Sequence, residues 1–379
     1  MMWEMMPDDI TQAVLARDDV VRYLQGGHGQ TPRQARERVY AYLDELRTTQ
    51  RYPFYRALKH PLYPILRKIE RRFEHVEIAR AATQSGRVIY ASNHKSHTDY
   101  LVEPLVLDDN GIRPPVIAAG INLFGGPLGL LHRHVTGAIP VRRDTKDPAY
   151  FVTLKAYVAE VLRNHDLLFY PEGGRSYSGE LKQPKTGLMQ AAMQADCPRL
   201  FLVPTAIAYD LVLEDRILAR QGVKRRQRPF ARELAEMVRQ AVGYRSRAFV
   251  TFGAPLDTSE YDPQSRRDVL ALAHRTRQEI GRLYKVLPTA VVAAAIRPSV
   301  ATRVLEWRVE AVLEKLQAAG ANLETTNVEE TIDRGVELLE ARAVLVIERG
   351  RFRVRDRTTL RYYARTINHL LQPPTARTR

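Results

Sequence analysis

The segment "IYASNHKSHTDYLV", Ile89–Val102, runs an apolar stretch into two histidines and an aspartate, then returns to apolar residues. With Arg87 and Val88 ahead of it, its first part reads as a short buried strand of β-branched and aromatic residues. The turn that ends such a strand puts His94 at a strand's carboxyl edge, where open α/β sheets carry their ligand crevices. The rest reads as a helix, with Ser96 as its N-cap and Asp99 in the place of a capping-box acid.

Five residues apart on one continuous helix, His94 and Asp99 would sit roughly 140° from each other and could not meet. They meet only if His94 lies in the turn before the helix and folds back over its first turn. A carboxylate there accepts the imidazole Nδ1 proton, fixes the tautomer and leaves Nε2 to act as a base. Such a His-Asp pair has no serine of its own, so the attacking hydroxyl would belong to the substrate. Spacing alone leaves His97 competing with His94 for the role.

Outward from this segment, "PVIAAG", "TGAIPV", "DLLFYPE", "LFLVPTAIAY" and "RAFVTFG" also read as strands, separated by intervals long enough for crossover helices. The expectation is an α/β fold: a mixed, mostly parallel sheet flanked by helices, over residues 81–286. Residues 1–80 read as an N-terminal helical region. Thr31, Pro32 and Gln34 form a capping box ahead of Val39, Leu43 and Leu46, and Leu66, Ile69 and Phe73 suggest a further helical stripe. In residues 287–379 one helix carries Leu305, Val309, Val312 and Leu316 and stops at Gly320; Asn327 with Glu330 caps another. A hairpin turning at Arg349-Gly350 completes a winged-helix-like module.

Of 379 residues, 45% are apolar and 27% charged, which fits a folded globular chain and argues against wholesale disorder. The formal charge of +15 attracts polyanions, whether nucleic acid, an anionic bilayer or an acidic carrier protein. Cys197 is the only cysteine, which excludes an internal disulfide framework and any multi-cysteine zinc site, so no metal is expected and the setting reads as cytoplasmic. The start, "MMWEMMPDDITQ", is broken by Glu4 and Pro7 and lacks the pattern of an export signal. The longest strongly apolar run, "VVAAAI", is far short of the ~20 residues that cross a bilayer, so membrane contact is expected to be peripheral.

Three further stretches carry chemistry. In "FYPEGGRSYSGEL", Gly173 and Gly174 allow close backbone approach, Arg175 offers a two-pronged donor and Ser176 a hydroxyl, a set suited to a phosphate dianion. "GAIPVRRD" supplies Arg142 and Arg143, adjacent residues of which only one would face a ligand, and "QPKTG" supplies Lys185. Pro204 interrupts a strand that otherwise reads as central, which implies an edge, a bulge or a site-shaping bend. The run Lys224–Arg228 is the candidate for a membrane or carrier contact.

Taken in order, "NHKSHTDY", "GAIPVRR", "YPEGGRS" with "PKTG", and "LVPTAIAYD" resemble the four sequence blocks of the glycerol-3-phosphate acyltransferase family, in its large bacterial and mitochondrial-type branch. The resemblance implies that His94 is the general base and Asp99 its orienting partner. Arg142, Arg143, Arg175, Ser176 and Lys185 would hold substrate phosphate, with Glu172, Gly173, Gly174 and Pro204 shaping the site. The reaction so implied carries a fatty acyl group from acyl-CoA or acyl carrier protein to the sn-1 hydroxyl of glycerol 3-phosphate, giving lysophosphatidate, without cofactor. Lysophosphatidate or dihydroxyacetone phosphate as acceptor is the alternative within enzymes. From another class, a basic nucleic-acid-binding regulator using the C-terminal module is the rival, although nucleic acid is not the expected partner. An anionic membrane, met at its cytoplasmic face, is. The family usually has arginine where Lys95 stands and an arginine-threonine pair where Tyr177 and Ser178 stand, departures that bear on donor and acceptor preference.

Overall fold

The computed structural model describes residues 7–26, 30–54, 56, 68–124, 129, 133–142, 145–224 and 245–372. Eight strands form the main sheet: β1 (Ile69–Glu74), β2 (Arg87–Ser92), β3 (Val116–Gly120), β4 (Ala138–Val141), β5 (Leu167–Phe169), β6 (Leu200–Tyr209), β7 (Ser246–Phe252) and β8 (Leu256–Asp257). Their order is β1-β7-β6-β2-β5-β3-β4, with β8 alongside β6. The ladders from β6 through β2, β5 and β3 to β4 are parallel, and β7 and β8 run antiparallel to β6. The sheet is thus mixed and mostly parallel.

Strand β2 lies at its centre and shows why an all-apolar strand is wanted there. Val88 and Tyr90 pack into one core, Ile89 and Ala91 into a second on the opposite face. Successive side chains point to opposite faces, so a strand covered on both sides cannot alternate with polar residues. On the Ile89 face lie helices 32–46, 148–162 and 187–193; on the Tyr90 face lie helices 76–85 and 99–109 and the C-terminal helices. The N-terminal helix 32–46 opens with the expected capping box between Thr31 and Gln34.

The segment 69–74 corrects the helical reading. It is an edge strand, paired residue for residue with β7 from Ile69↔Ser246 to Glu74↔Thr251, and Leu66 lies outside the described residues. Ile69 is buried in the core while Phe73 is 45% exposed. Glu70, Arg71, Arg72 and Glu74 charge this edge, and charge on an edge strand discourages further pairing.

Pro204 sits within a strand paired on both sides, not at an edge. Ala91 faces it from β2; on the other side β8 pairs with Phe201 and Leu202, and β7 takes over from Thr205. The proline stands where one antiparallel partner gives way to the next, so its missing N–H interrupts neither ladder. Its carbonyl accepts from Gly253 N at 2.8 Å, in the turn that joins those partners.

Beyond the main sheet, β9 (Ser299–Ala301), β10 (Leu345–Glu348) and β11 (Arg351–Val354) form a three-stranded antiparallel sheet in the order β10-β11-β9. Helices 302–318 and 328–341 precede the hairpin, and Asn327 caps the second through Glu330 N, as read from the sequence. Arg349 and Gly350 both take positive φ at the hairpin turn. Helix 357–365 then returns to the main sheet, where the Tyr362 carbonyl presses on Gly179. Gly179 has φ +86°, and a Cβ there would lie 2.1 Å from that carbonyl oxygen. Gly320, at φ +66°, has nothing within 4 Å of the same position. Gly320→Ala is therefore expected to cost only backbone strain of about 1 kcal/mol. Gly179→Ala, which must also move a helix, should cost several times more; paired thermal melts check the ordering.

Candidate active site

The carboxyl ends of β2, β3, β4 and β5 open onto a cavity of about 270 Å³. His94 and His97 line it from the turn after β2, and Gly173, Gly174, Arg175 and Tyr177 from the loop after β5. Leu123, Val141, Phe151, Leu154, Phe169, Tyr170 and Leu188 give it an apolar wall. The charged side chains among the described lining residues are Arg142, Lys155, Arg175 and Lys185; no carboxylate is among them. Such a lining suits a ligand with an anionic head and an apolar tail.

The turn after β2 is fixed first by Asn93. Its amide donates to Ile207 O at 2.9 Å and accepts from Ile207 N at 2.8 Å, so a side chain takes the place of a strand's backbone beside β6. His94 follows in the turn, ahead of the helix 99–109, and its Nδ1 lies 2.8 Å from Asp99 Oδ2. The same oxygen accepts from Lys95 N at 2.7 Å and Ser96 N at 2.9 Å, while Oδ1 accepts from the Tyr209 hydroxyl at 2.7 Å. Half of the expected capping box is thus formed. The helix itself caps at Thr98, because the Ser96 hydroxyl is drawn to Glu214 at 2.9 Å.

Asp99 is fully buried, and burial pushes its carboxyl up to about 6 against the pull of the Ser96 amide, the Tyr209 hydroxyl and the Lys95 amide. It is still an anion at neutral pH. Nδ1 of His94 then carries its proton toward Asp99, and Nε2 is the ring nitrogen able to take up another. His97 also lines the cavity, and it donates its backbone N–H to Glu214 Oε1 at 2.6 Å.

Around the loop 171–185 the read residues divide into two groups. Gly173, Gly174, Arg175, Arg142 and Lys185 reach the cavity. Glu172, Ser176 and Pro204 do not line it; they hold the frame. Glu172 is buried, which raises its carboxyl, and it bridges His94 N at 3.1 Å and Lys182 N at 3.2 Å. Ser176 is fully buried, takes the His94 carbonyl through its N–H at 2.8 Å and gives its hydroxyl to Glu180 O at 2.6 Å. Its hydroxyl serves the loop, in contrast to the phosphate role that the sequence suggested.

Gly173 has φ +68°, donates its N–H to Tyr170 O at 2.9 Å, and leaves the space into which the Lys185 side chain packs. Arg142 follows β4, donates Nε to Glu45 Oε1 at 2.7 Å and pairs through Nη2 with Glu45 Oε2, the carboxylate of the N-terminal helix 32–46. Arg143 lies outside the described residues, as does the run Lys224–Arg228 beyond Lys224.

Sequence reasoning missed five residues around the site, of which Glu103 and Glu214 are buried. Glu214 joins Ser96 and His97 N to Arg175, whose Nη1 stands 3.6 Å away. Lys182 donates to the carbonyls of Gly174 at 2.6 Å and Arg175 at 3.1 Å. Tyr170 stacks on His94, ring centroids 4.2 Å apart and planes 15° from parallel. Glu103, one helical turn past Asp99, accepts from the Tyr170 hydroxyl at 2.8 Å. Lys155, held by Gln190 at 3.2 Å, adds a cation to the cavity wall. The only advance signal was the position of Tyr170 inside the glycine-loop block.

An acyltransferase family model matches residues 63–208, the span that holds the dyad and the glycine loop. The chain belongs to the acyltransferase family. Within it, the relatives are of the glycerol-3-phosphate acyltransferase type. A protein of Mycobacterium tuberculosis named as an acyltransferase, plsB1, is 30% identical over 76% of this chain and 49% of its own length. Glycerol-3-phosphate acyltransferases of Aeromonas hydrophila and Pseudomonas syringae are 33% and 31% identical, over 60% and 70% of this chain and 29% and 35% of theirs. The chain thus spans about half the length of the mycobacterial relative and about a third of the others. The crystal structure of the 1-acyl-sn-glycerophosphate acyltransferase PlsC from Thermotoga maritima aligns over 72% of this chain and 86% of that one, at 15% identity and a TM-score of 0.34. At that score it adds nothing to the strand order described above.

Burial raises Glu103 further than Asp99, to about 8, with the nearby Asp99 charge adding to the effect. A carboxyl raised in the folded state is protonated there while the unfolded chain has already ionised, so stability is greatest at low pH and is lost as pH rises through the folded value. Glu103→Gln removes that loss. The melting temperature of the variant relative to the parent is expected to climb steadily between pH 5 and 8; a difference that stays flat over this range would mean an ordinary, ionised Glu103.

Proposed function

We propose that this protein transfers a fatty acyl group from an acyl thioester, carried by CoA or acyl carrier protein, to the sn-1 hydroxyl of glycerol 3-phosphate. One observation supports this reading above the rest: a buried His94–Asp99 pair opens onto a cavity whose charged lining is basic and whose remaining wall is apolar. The names of the glycerol-3-phosphate acyltransferase relatives support the same acceptor.

In this mechanism His94 Nε2 takes the proton from the sn-1 hydroxyl as its oxygen attacks the thioester carbonyl. The C–S bond of the tetrahedral intermediate breaks, and the departing thiolate receives the proton from the imidazolium. Asp99 keeps Nδ1 protonated and stabilises the imidazolium between the two transfers. No covalent acyl-enzyme is needed. Arg175, with Arg142 and Lys185, holds the phosphate dianion, and Arg143 joins them in the reading from sequence. Glu172 and the glycines keep the loop in place, and Pro204 lets the strand beneath it change partners.

The formal charge of +15 suits an anionic membrane, met at its cytoplasmic face, as the surface that takes up the lipid product. Among the described residues no helix is long and apolar enough to cross a membrane. Contact through charge is screened beyond about 8 Å at physiological ionic strength. Co-sedimentation with anionic vesicles, reversed by salt and missing with neutral vesicles, is the expected result.

Thiol release from acyl-CoA and from acyl carrier protein, with glycerol 3-phosphate as acceptor and the product identified by mass, tests the reaction. Release only with lysophosphatidate or dihydroxyacetone phosphate would transfer the proposal to that acceptor. His94→Ala is expected to lower turnover by about 10²- to 10⁴-fold while the protein still folds. Loss in His97→Ala alone would reverse the assignment. Turnover should also fall as pH drops through about 6, where Asp99 takes up a proton and no longer draws on Nδ1–H.

Arg175 is buried beside the buried Glu214, so its truncation removes a cation from a carboxylate as well as from the phosphate site. Arg175→Lys, which keeps charge without the planar fork, is the cleaner probe. It should raise KM for glycerol 3-phosphate while KM for the acyl donor stays within about twofold.

A further inference from the structure

Asp99 restrains His94 at one nitrogen, and a single hydrogen bond leaves a ring able to tilt about it. The structure supplies a second restraint. Tyr170 lies face to face with the imidazole, centroids 4.2 Å apart and planes 15° from parallel. Its own ring is pinned at the far end, where the hydroxyl donates to Glu103 Oε2 at 2.8 Å. Glu103 is 2% exposed and projects from the helix 99–109 one turn past Asp99. Both restraints on the ring therefore return to one helix: the first through a hydrogen bond in the ring plane, the second through a stack across it.

We infer that Tyr170, anchored by Glu103, is a positioning residue that fixes the plane of the His94 ring and favours its protonated form. Resting on the reading of His94 as base, this adds a group that the dyad alone does not provide. An aromatic face carries negative charge density, so a cation stacked on it is attracted, more strongly where water is excluded. The imidazolium exists only between the two proton transfers. A face that attracts it acts on the charge that develops during reaction more than on the neutral resting ring.

The anchor explains the choice of tyrosine. Phenylalanine in the same place would supply the face without the tether, and Leu168, Phe169 and Leu202, all buried around this strand end, show that an apolar residue could fill the space. A buried tyrosine hydroxyl needs a partner, and Glu103 Oε2 is that partner.

The test compares Tyr170→Phe and Tyr170→Leu with the parent. His94 is titrated by NMR through its ring carbons without substrate, and steady-state kinetics are measured with whichever acceptor the parent turns over. Tyr170→Leu is expected to lower the His94 midpoint by about half a unit or more, in line with a lost cation–aromatic contact. Tyr170→Phe should leave that midpoint near the parent's and lower kcat about three- to tenfold, with KM for both substrates within twofold. A folded Tyr170→Leu protein with the parent's midpoint overturns the inference. If Tyr170→Leu does not fold, Tyr170→Phe decides alone: unchanged kcat, or a loss confined to KM, overturns it. Because the titration needs no substrate, failure of the proposed acyl transfer and failure of the stack are separate results.

Discussion

A carboxylate with no solvent exposure must have its oxygens met by donors, and Asp99 is met by four: the His94 ring, two backbone amides and the Tyr209 hydroxyl. Much of the site geometry follows from this. The amides of Lys95 and Ser96 converge on one oxygen only if the chain turns sharply after β2, and that turn is what swings His94 back over the helix start. Tyr209 ends β6, so the carboxylate also ties the turn to the strand beside it. An unpaired ion at this depth would cost several kcal/mol, which is why four donors converge on it.

The main strands and the dyad were legible because both depend on short-range pattern. An apolar run between turn signals marks a buried strand, and a histidine before a capping acid has few ways to fold. The segment 69–74 was misread because Leu66, Ile69 and Phe73 fit a helical stripe, and the ladder that pairs Ile69 and Phe73 comes from β7, more than 170 residues later. Ser176 was taken for a phosphate ligand because a hydroxyl beside a glycine loop looks available; the carbonyl of Glu180, four residues on, claims it. Glu214 is 118 residues from Ser96, and no local pattern announces such a partner.

Charge in the site is arranged in two layers. Arginine and lysine face the cavity, while the carboxylates of Asp99, Glu103, Glu172 and Glu214 lie behind its wall, each buried and engaged by backbone or hydroxyl donors. The rear layer steadies loops and the His94 ring, and two of the front cations have acid partners of their own: Arg142 pairs with Glu45, and Arg175 stands 3.6 Å from Glu214. The cavity lining itself carries Arg142, Lys155, Arg175 and Lys185 and none of these acids.

The contact between Gly179 and the Tyr362 carbonyl bears on how the chain is divided. On the other side of the same glycine, its carbonyl takes the buried ammonium of Lys95 at 2.6 Å, and that ammonium lies 5.2 Å from the centre of the Tyr284 ring. Glu180, next in sequence, faces Arg365 and Asn368. Residue 95 neighbours the histidine, residue 179 follows the arginine loop, and residues 284 and 362–368 come from the far end of the chain. A cut placed at the apparent sequence boundary near residue 287 would strip the loop of its backing and open Lys95 toward water. The C-terminal module, however it came to be joined, now serves as the back wall of the catalytic unit, and swapping it between relatives would mean transplanting this seam as well.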